Sequence, residues 1–335
     1  MESPVEPGRI GEFFLSILER FDEKPVIFPT SDFFVKIIAT HFSEIREKCL
    51  VYPHNGTLGG NITDKEEQIK HAIQAGIPVP RTIFVSSGKG LAAAGSDFPY
   101  PALLKGADST DWARYLKSGK GIFIKTFRDL QGAVDRVIHY PGKLMLQEAI
   151  PGRDTNLFEY CVLMNKQKEI VASFIVEKVR QYPGRFGVGS VVVSRLNSEV
   201  DELGTAYFRT MGFSGIGQIE LKYDERDKCY KFIELNPRLW LQNSLAERCG
   251  INFPFLAYND LAGNGMERKI RFDEGIKWID FKMDYLSYRG YREEGTLGFG
   301  AWMKSLRGQK VYSIFSVDDP VPFLKSLLFD MKVLE

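Results

Sequence analysis

The sequence predicts an α+β protein that is built from more than one domain. Its 335 residues exceed one ordinary domain, since domains average roughly 100–200 residues. Segments with helical spacing alternate with short strands in the first half, and antiparallel hairpins follow in the second half. Hydrophobic residues make up 44% and charged residues 26% of the chain, which is typical of a globular protein in water.

The composition also argues against several classes of partner. The net charge of +1 provides no overall field for nucleic acid or an acidic membrane surface. No run of about 18 apolar residues is present, so we expect no membrane insertion. The N-terminus lacks a basic region followed by an apolar stretch, which favours a cytoplasmic protein with reduced thiols. The oligomeric state stays open, with a homodimer as one alternative.

We expect a small α/β domain at residues 1–80. IGEFFLSILERF and SDFFVKIIATHF have helical spacing, and Ser31 or Asp32 is the expected cap of the second helix. KPVIFP between them predicts a short strand, so the region contains about one unit of a parallel sheet. TDKEEQIKHAIQAG at 63–76 predicts a further helix, with Thr63 and Glu66 as a capping box.

The rest of the chain divides into three predicted parts. Residues 81–152 contain the strands YPALLKG, GIFIKTF and KLMLQEAI and the helix DLQGAVDRVIHY. Residues 153–265 contain two hairpins, which turn at NKQKE and DERDK, with a helix between them. Residues 266–335 form a mixed extension, rich in aromatic and basic residues, that we expect to pack on the preceding domain.

The most informative stretch is FIELNPRLW at 232–240. Glu234 and Asn236 lie two positions apart in a predicted strand, so their side chains share one face. The partner strand of the hairpin, GQIELKYD, places Gln218 and Glu220 on one face, and antiparallel pairing brings Glu220 near Glu234. Two carboxylates and an amide oxygen form a hard-oxygen site of the kind that Mg²⁺ prefers, completed by water and phosphate.

The alternative interpretation is a solvated hairpin face with exposed charges. Ile233, Leu235, Leu239 and Trp240 make exposure of the whole segment unfavourable. Pro237 ends the ladder because it has no N–H, so Arg238 can turn back over the site. An arginine beside a metal and phosphates would stabilise transferred negative charge.

These residues resemble the ATP-grasp superfamily, whose last metal-binding strand reads Glu-x-Asn-Pro-Arg. The resemblance covers roughly residues 60–265 and includes Thr63-Asp64-Lys65, PALLKG at 101–106 and LQEAIPG at 146–152. More narrowly, KVRQYPGRFGVGS, the run from 234 to 263 and the DDP at 318–320 resemble bacterial ATP-grasp carboxylate–amine ligases, a group similar to D-aspartate ligases.

The resemblance implies two α/β subdomains that clamp ATP, preceded by a shortened α/β domain. It also implies a role for each matching residue. Lys65 and Lys105 would bind phosphate, and Glu148 with the backbone of Ala149 and Ile150 would hold adenine or ribose. Glu220, Glu234 and Asn236 would ligate Mg²⁺, and Arg238 and Arg180 would steady the acyl phosphate. For Arg180 and Arg185, in a loop that leaves a strand, a substrate or phosphate role and a solvated loop position both remain open.

The implied reaction activates a small-molecule carboxylate with ATP to an acyl phosphate, which an amine then attacks. Two alternatives remain open: an ATP-grasp enzyme that phosphorylates or carboxylates its substrate, and a nucleotide-binding module without turnover. The sequence departs from the family in two places. The lid segment 107–121 has few glycines, with Lys117 and Lys120 as other sources of positive charge, and the first domain is short.

Overall fold

The computed structural model describes residues 10–53, 62–116, 121–184 and 186–331, and it combines helices with two largely antiparallel sheets. The helices are α1 Ile10–Leu18, α2 Asp32–Thr40, α3 Phe42–Lys48, α4 Lys65–Gln74, α5 Gly88–Ala94, α6 Ser109–Leu116, α7 Phe127–Val137, α8 Ser198–Met211, α9 Asn243–Arg248, α10 Phe253–Ala262, α11 Phe281–Glu293, α12 Phe299–Ser305 and α13 Val321–Met331. The strands are β1 Thr82–Val85, β2 Ala102–Gly106, β3 Ile122–Ile124, β4 Leu144–Glu148, β5 Leu157–Met164, β6 Ile170–Tyr182, β7 Val188–Ser194, β8 Gly215–Asp224, β9 Cys229–Asn236, β10 Lys277–Ile279 and β11 Lys310–Tyr312.

Within these residues the strands form a small sheet of four, ordered β1-β4-β2-β3, and a large sheet of seven, ordered β11-β10-β7-β6-β5-β8-β9. The pairs in the small sheet are antiparallel, whereas in the large sheet only β10 and β11 are parallel. Both predicted hairpins are present, as β5–β6 and β8–β9. The predicted ladder of Glu220 opposite Glu234 is likewise present.

The first part of the chain differs in two details from the sequence prediction. KPVIFP forms a single parallel bridge, between Val26 and Leu50, rather than a strand of a sheet. Helices α1–α3 instead surround a small core of their own, which includes Ile38 and Ile45. The capping box at Thr63 is also wrong, because Asp64 caps α4 by accepting hydrogen bonds from the backbone N–H groups of the next turn.

The large sheet is covered on both faces. On one face, Ile219, Leu221 and Leu235 belong to a core that also contains residues of α4 and α8. On the other face, Cys161, Val176 and Trp240 pack with α9 and α10. The polar side chains of β8 and β9 lie on the face opposite to Ile219, Leu221 and Leu235, because successive residues of a strand alternate between its two faces. These polar side chains face a cleft.

The cleft lies between the two sheets. The small sheet has its own core against α5 and α7, which includes Leu104, Leu130 and Leu146. The extension after residue 266 joins the large sheet, because β10 pairs with β7, and α11 lies against β6 and β7. Among the described residues, no helix has both the length and the apolar character needed to cross a membrane.

Candidate active site

One open cleft between the sheets contains most of the residues that the sequence singled out. Its empty volume is about 1240 Å³, including space open to solvent. The predicted residues that line it are Lys65, Lys105, Glu148, Ala149, Ile150, Glu220, Glu234, Asn236 and Arg238. Residues far apart in the sequence therefore meet at one place.

Two carboxylates face each other across the β8–β9 ladder. Glu220 is paired with Glu234, and the next ladder pair on the same face is Gln218 with Asn236. The Gln218 side chain accepts a hydrogen bond of 3.2 Å from Asn236 Nδ2 and donates one of 2.6 Å to Glu159 Oε2. This row of hydrogen bonds orients the amide whose oxygen the sequence assigned to a metal.

Two lysines compensate the negative charge of these carboxylates. Lys178 Nζ lies 3.0 Å from Glu220 Oε1 and 3.3 Å from Glu159 Oε1, in a side chain that is only 1% exposed. Burial alone lowers the pKa of Lys178, but attraction by Glu220 and Glu159 outweighs burial and raises it. Sequence reasoning missed Lys178, although a lysine inside the apolar run of β6 was a signal for a buried ion pair.

The second lysine is Lys65, the first residue of α4. Its Nζ donates a 2.9 Å hydrogen bond to Glu234 Oε2. Burial lowers the pKa of Lys65, but the Glu234 carboxylate outweighs burial and the pKa is raised. Lys105 enters the same cleft from the opposite sheet, near the end of β2, where its side chain is buried. Positive charge therefore reaches the cleft from both of its walls.

Arg238 turns back towards the ladder that Pro237 ends. Its Nη2 donates a 3.2 Å hydrogen bond to Asn236 Oδ1, and its Nε lies 2.7 Å from Asp32 Oδ1. Asp32 begins α2 in the N-terminal region, so the first part of the chain holds the arginine at the cleft. Sequence reasoning considered Asp32 only as a helix cap, because no local pattern connects it with Arg238.

The opposite end of the cleft is the segment after β4. Glu148 Oε1 forms a 2.7 Å ion pair with Arg226, and Glu148 Oε2 accepts a hydrogen bond from the Arg81 backbone N–H. The Ala149 N–H donates to the carbonyl of Pro101 at 2.9 Å. Ala149 and Ile150 both line the cleft, and the contact of their backbone with adenine or ribose stays a prediction.

The glycine-poor lid segment forms α6 rather than an extended loop. Asp108 caps this helix by accepting hydrogen bonds from the Thr110 and Asp111 N–H groups. Ser109 and Trp112 line the cleft. Lys117 and Lys120 lie outside the described residues, so their predicted contribution of charge stays a prediction.

The structure does not bring Arg180 into the cleft. It lies inside β6, not in a loop, and its Nε and Nη2 contact the two oxygens of Asp284 at 2.6 and 3.1 Å. Both side chains are buried, and Ser305 accepts a further hydrogen bond from Arg180. The predicted loop position is wrong because β6 continues to Tyr182. Arg185 lies outside the described residues.

Lys222 and Gln181 also line the cleft, and the sequence did not predict either. Lys222 lies two positions after Glu220 on β8, and burial lowers its pKa. Gln181 lies at the end of β6, where its backbone N–H and side-chain amide both donate to Asp154. The alternation in GQIELKYD was a signal for Lys222, because residues i, i+2 and i+4 of a strand share a face.

The donor chemistry of the ladder fits a hard divalent cation. Glu220, Glu234 and Asn236 offer carboxylate and amide oxygens on the wall of the cleft, and Mg²⁺ uses few protein oxygens together with phosphate and water. In the described part of the chain, no group of three or more His, Cys, Asp and Glu side chains is arranged to hold a metal.

Known structures share this architecture. The chain aligns with the biotin carboxylase domain dimer of Hydrogenobacter thermophilus 2-oxoglutarate carboxylase, crystallised with MgADP, ADP and bicarbonate. The TM-score is 0.63 with 17% identity, over 82% of this chain and 62% of that one. It also aligns with an L-amino acid ligase from Bacillus licheniformis, with a TM-score of 0.57 and 16% identity, over 76% and 60% of the two chains.

The chain has the ATP-grasp fold. The predicted fold class and the predicted resemblance to ATP-grasp proteins are confirmed at this level. In sequence, the chain is similar to a D-aspartate ligase of Enterococcus faecium (strain Aus0004), with 20% identity over 258 residues. That alignment covers 73% of this chain and 61% of the ligase, so this chain spans less than two thirds of that relative. No protein-family model matches the sequence.

Proposed function

We propose that this protein is an ATP-dependent ligase that joins a carboxylate to an amine through an acyl phosphate. The observation that carries the proposal is the facing pair Glu220 and Glu234, with Lys65 and Lys105 on the two walls of one cleft. Paired carboxylates with lysines around them suit a triphosphate and its cation. The likeness to a D-aspartate ligase and an L-amino acid ligase supports the choice of a ligase.

In this proposal, the residues of the cleft position the substrates and stabilise charge. Lys65 and Lys105 bind the phosphates, and Glu148 with the Ala149–Ile150 backbone contacts the nucleoside. Glu220, Glu234 and Asn236 would hold Mg²⁺, which neutralises negative charge on the phosphates when it is bound. Lys65 and Lys178 occupy the carboxylates in this conformation, so they keep the buried negative charges compensated before the substrates arrive.

The chemistry then has two steps. A carboxylate oxygen of the donor attacks the γ-phosphorus of ATP, the bond to the β-phosphate oxygen breaks, and ADP leaves. A neutral amine attacks the acyl carbon, inorganic phosphate leaves, and the nitrogen loses its proton. Arg238, which Asp32 orients next to Asn236, stabilises the negative charge on the transferred group. Arg180 pairs with Asp284 away from the cleft and does not contact the substrate in this proposal.

The experiment is a screen for ADP release with a panel of carboxylates and amines. D-Aspartate and L-amino acids are tested first, because this chain is similar to a D-aspartate ligase and to an L-amino acid ligase. We expect a correct carboxylate alone to give slow ADP release, and hydroxylamine to trap a hydroxamate. The correct amine should accelerate ADP release and yield one amide for each ATP, with reactions lacking either substrate as controls.

Other outcomes would replace the proposal. Release of AMP and pyrophosphate, or turnover without a hydroxamate, would exclude the acyl phosphate. ADP release that depends on bicarbonate would favour a carboxylating enzyme, as the likeness to the biotin carboxylase domain suggests. A phosphorylated product without an amine would indicate a kinase-like reaction, and nucleotide binding without ADP release would indicate a binding module.

A further inference from the structure

Among the described residues that line the cleft, one buried cation, Lys222, has no role in the proposed reaction so far. Its side chain lines the cleft and the residue is only 8% exposed. Within the described residues, no carboxylate lies within ion-pair distance of its ammonium group. Asp154 and Asp224 attract it from further away, but both are engaged by other side chains.

Lys222 differs in this respect from other charged groups of the cleft. Those groups form ion pairs with one another or with neighbours: Lys65 with Glu234, Arg238 with Asp32, Glu220 with Lys178, and Glu148 with Arg226. A buried ammonium without a close counterion costs stability. A cation in this setting is suited to an anion that arrives with a ligand.

The position of Lys222 on β8 indicates which part of a ligand it meets. Gln218 pairs with Asn236, Glu220 with Glu234, and Lys222 with Leu157 of β5 on the other side. Lys222 therefore lies about 7 Å from Glu220 along the strand, on the side away from Arg238. Leu157 begins β5 shortly after the segment that contains Glu148 and Ile150, so Lys222 lies towards the nucleoside end.

We propose that Lys222 binds the α-phosphate of the nucleotide. This inference rests on the proposed function of the same cleft. The β- and γ-phosphates belong beside Glu220 and Glu234, and the donor carboxylate must lie beyond the γ-phosphate to attack it. The α-phosphate is the anionic group of ATP that remains on the nucleoside side, and a lysine binds phosphate as a point charge.

A nucleotide series tests the assignment. Binding of adenosine, AMP, ADP and ATP to the full chain is measured by calorimetry at fixed magnesium, for the unaltered protein and for Lys222→Met. Methionine keeps the length and apolar body of the side chain and removes the charge. We expect AMP, ADP and ATP each to bind about tenfold or more weakly to the variant, the loss typical of one charged hydrogen bond, with adenosine unchanged.

The matched control is Lys231→Met. Lys231 is the neighbour of Lys222 across the β8–β9 ladder and is similarly buried, but it pairs with Asp224 and does not line the cleft. We expect its nucleotide affinities to match those of the unaltered protein. If Lys231→Met produced the same losses as Lys222→Met, the general field of the sheet and not a contact would be responsible, and the inference would be overturned.

Thermal unfolding without nucleotide provides a second readout. Removing a buried charge without a close partner should leave the melting temperature of Lys222→Met equal to or above that of the unaltered protein. A clear decrease would make Lys222 structural and overturn the inference. Equal losses for adenosine and AMP, losses confined to ADP and ATP, or normal affinities throughout would also overturn it.

These outcomes separate the inference from the proposed function. Normal ATP binding by Lys222→Met would remove the α-phosphate contact and leave the ligase proposal unaffected. Failure of the unaltered protein to bind ATP would remove both.

Discussion

Two clusters of charged side chains that involve the large sheet have opposite surroundings. Glu220, Glu234 and Lys65 face the open cleft, whereas Arg180 of β6 pairs with Asp284 of α11 where the C-terminal extension packs on the sheet. Trp302 closes the second cluster by donating a hydrogen bond of 2.7 Å to Asp284 Oδ2. The same kind of ion pair therefore remains accessible to ligands at one place and is sealed by protein at the other.

The role of a buried charge therefore depends on whether solvent or other parts of the protein lie above it. An ion pair beside a cleft can exchange its partner for a ligand or a cation, because water and solutes reach it. An ion pair sealed by aromatic and apolar side chains contributes to the attachment of the segment that covers it. We therefore expect substitutions in the first cluster to affect turnover, and substitutions in the second to affect folding.

The largest effect should follow Glu234→Gln, which removes charge without changing shape. We expect ATP turnover to decrease by about 100-fold or more, as when one charge-stabilising group is lost. The free energy of unfolding should decrease by only about 1–2 kcal/mol, since Lys65 lines the open cleft, where water or a solute anion can replace the lost counterion. Steady-state ADP release and urea unfolding measure the two quantities.

Glu220→Gln serves as the parallel variant and should raise the magnesium requirement. Near-normal turnover at low magnesium in either variant would contradict the assignment of the carboxylates. A loss of stability as large as the one expected for the sealed cluster would contradict the contrast between the two clusters.

The second effect concerns Asp284→Asn in the sealed cluster. Asp284 is 0% exposed and binds Arg180 in bidentate fashion, so the variant leaves a buried guanidinium without its counterion. We expect the free energy of unfolding to decrease by about 3–5 kcal/mol. Urea unfolding at neutral pH measures this loss.

The control is the double variant Arg180→Met with Asp284→Leu, which removes both charges. It should recover much of the lost stability, because apolar side chains can replace a buried ion pair. If Asp284→Asn left stability unchanged but weakened the binding of a substrate, Arg180 would have the substrate role that the sequence suggested.

The smallest effect should follow Arg195→Met, which provides an exposed reference on the same sheet. Arg195 Nε lies 3.0 Å from Glu177 Oε2, but the arginine side chain is 52% exposed. Water already solvates this ion pair, so we expect a loss of less than about 1 kcal/mol and unchanged turnover. Urea unfolding of both proteins at increasing salt concentration should remove most of the difference between their free energies of unfolding.

Local patterns in the sequence were sufficient for much of the fold and for the ladder of the site. Alternation in GQIELKYD and FIELN predicts which side chains face the cleft, because a strand presents every second residue to one side. The turn residues of DERDK predict the hairpin. Formation of this hairpin is sufficient to place Glu220 opposite Glu234. The resemblance then extended the same site to Lys65, Lys105 and Glu148.

Contacts between distant segments depended on the tertiary structure. The pairs Arg238–Asp32, Lys178–Glu220 and Arg180–Asp284 join residues between 42 and 206 positions apart, and no periodic pattern connects such positions. The sequence therefore determined which side chains lie on which face of a strand, since that depends on neighbouring residues. Packing determined whether each of those charges meets a ligand, a counterion or a covering helix, since burial and pairing depend on what lies above the strand.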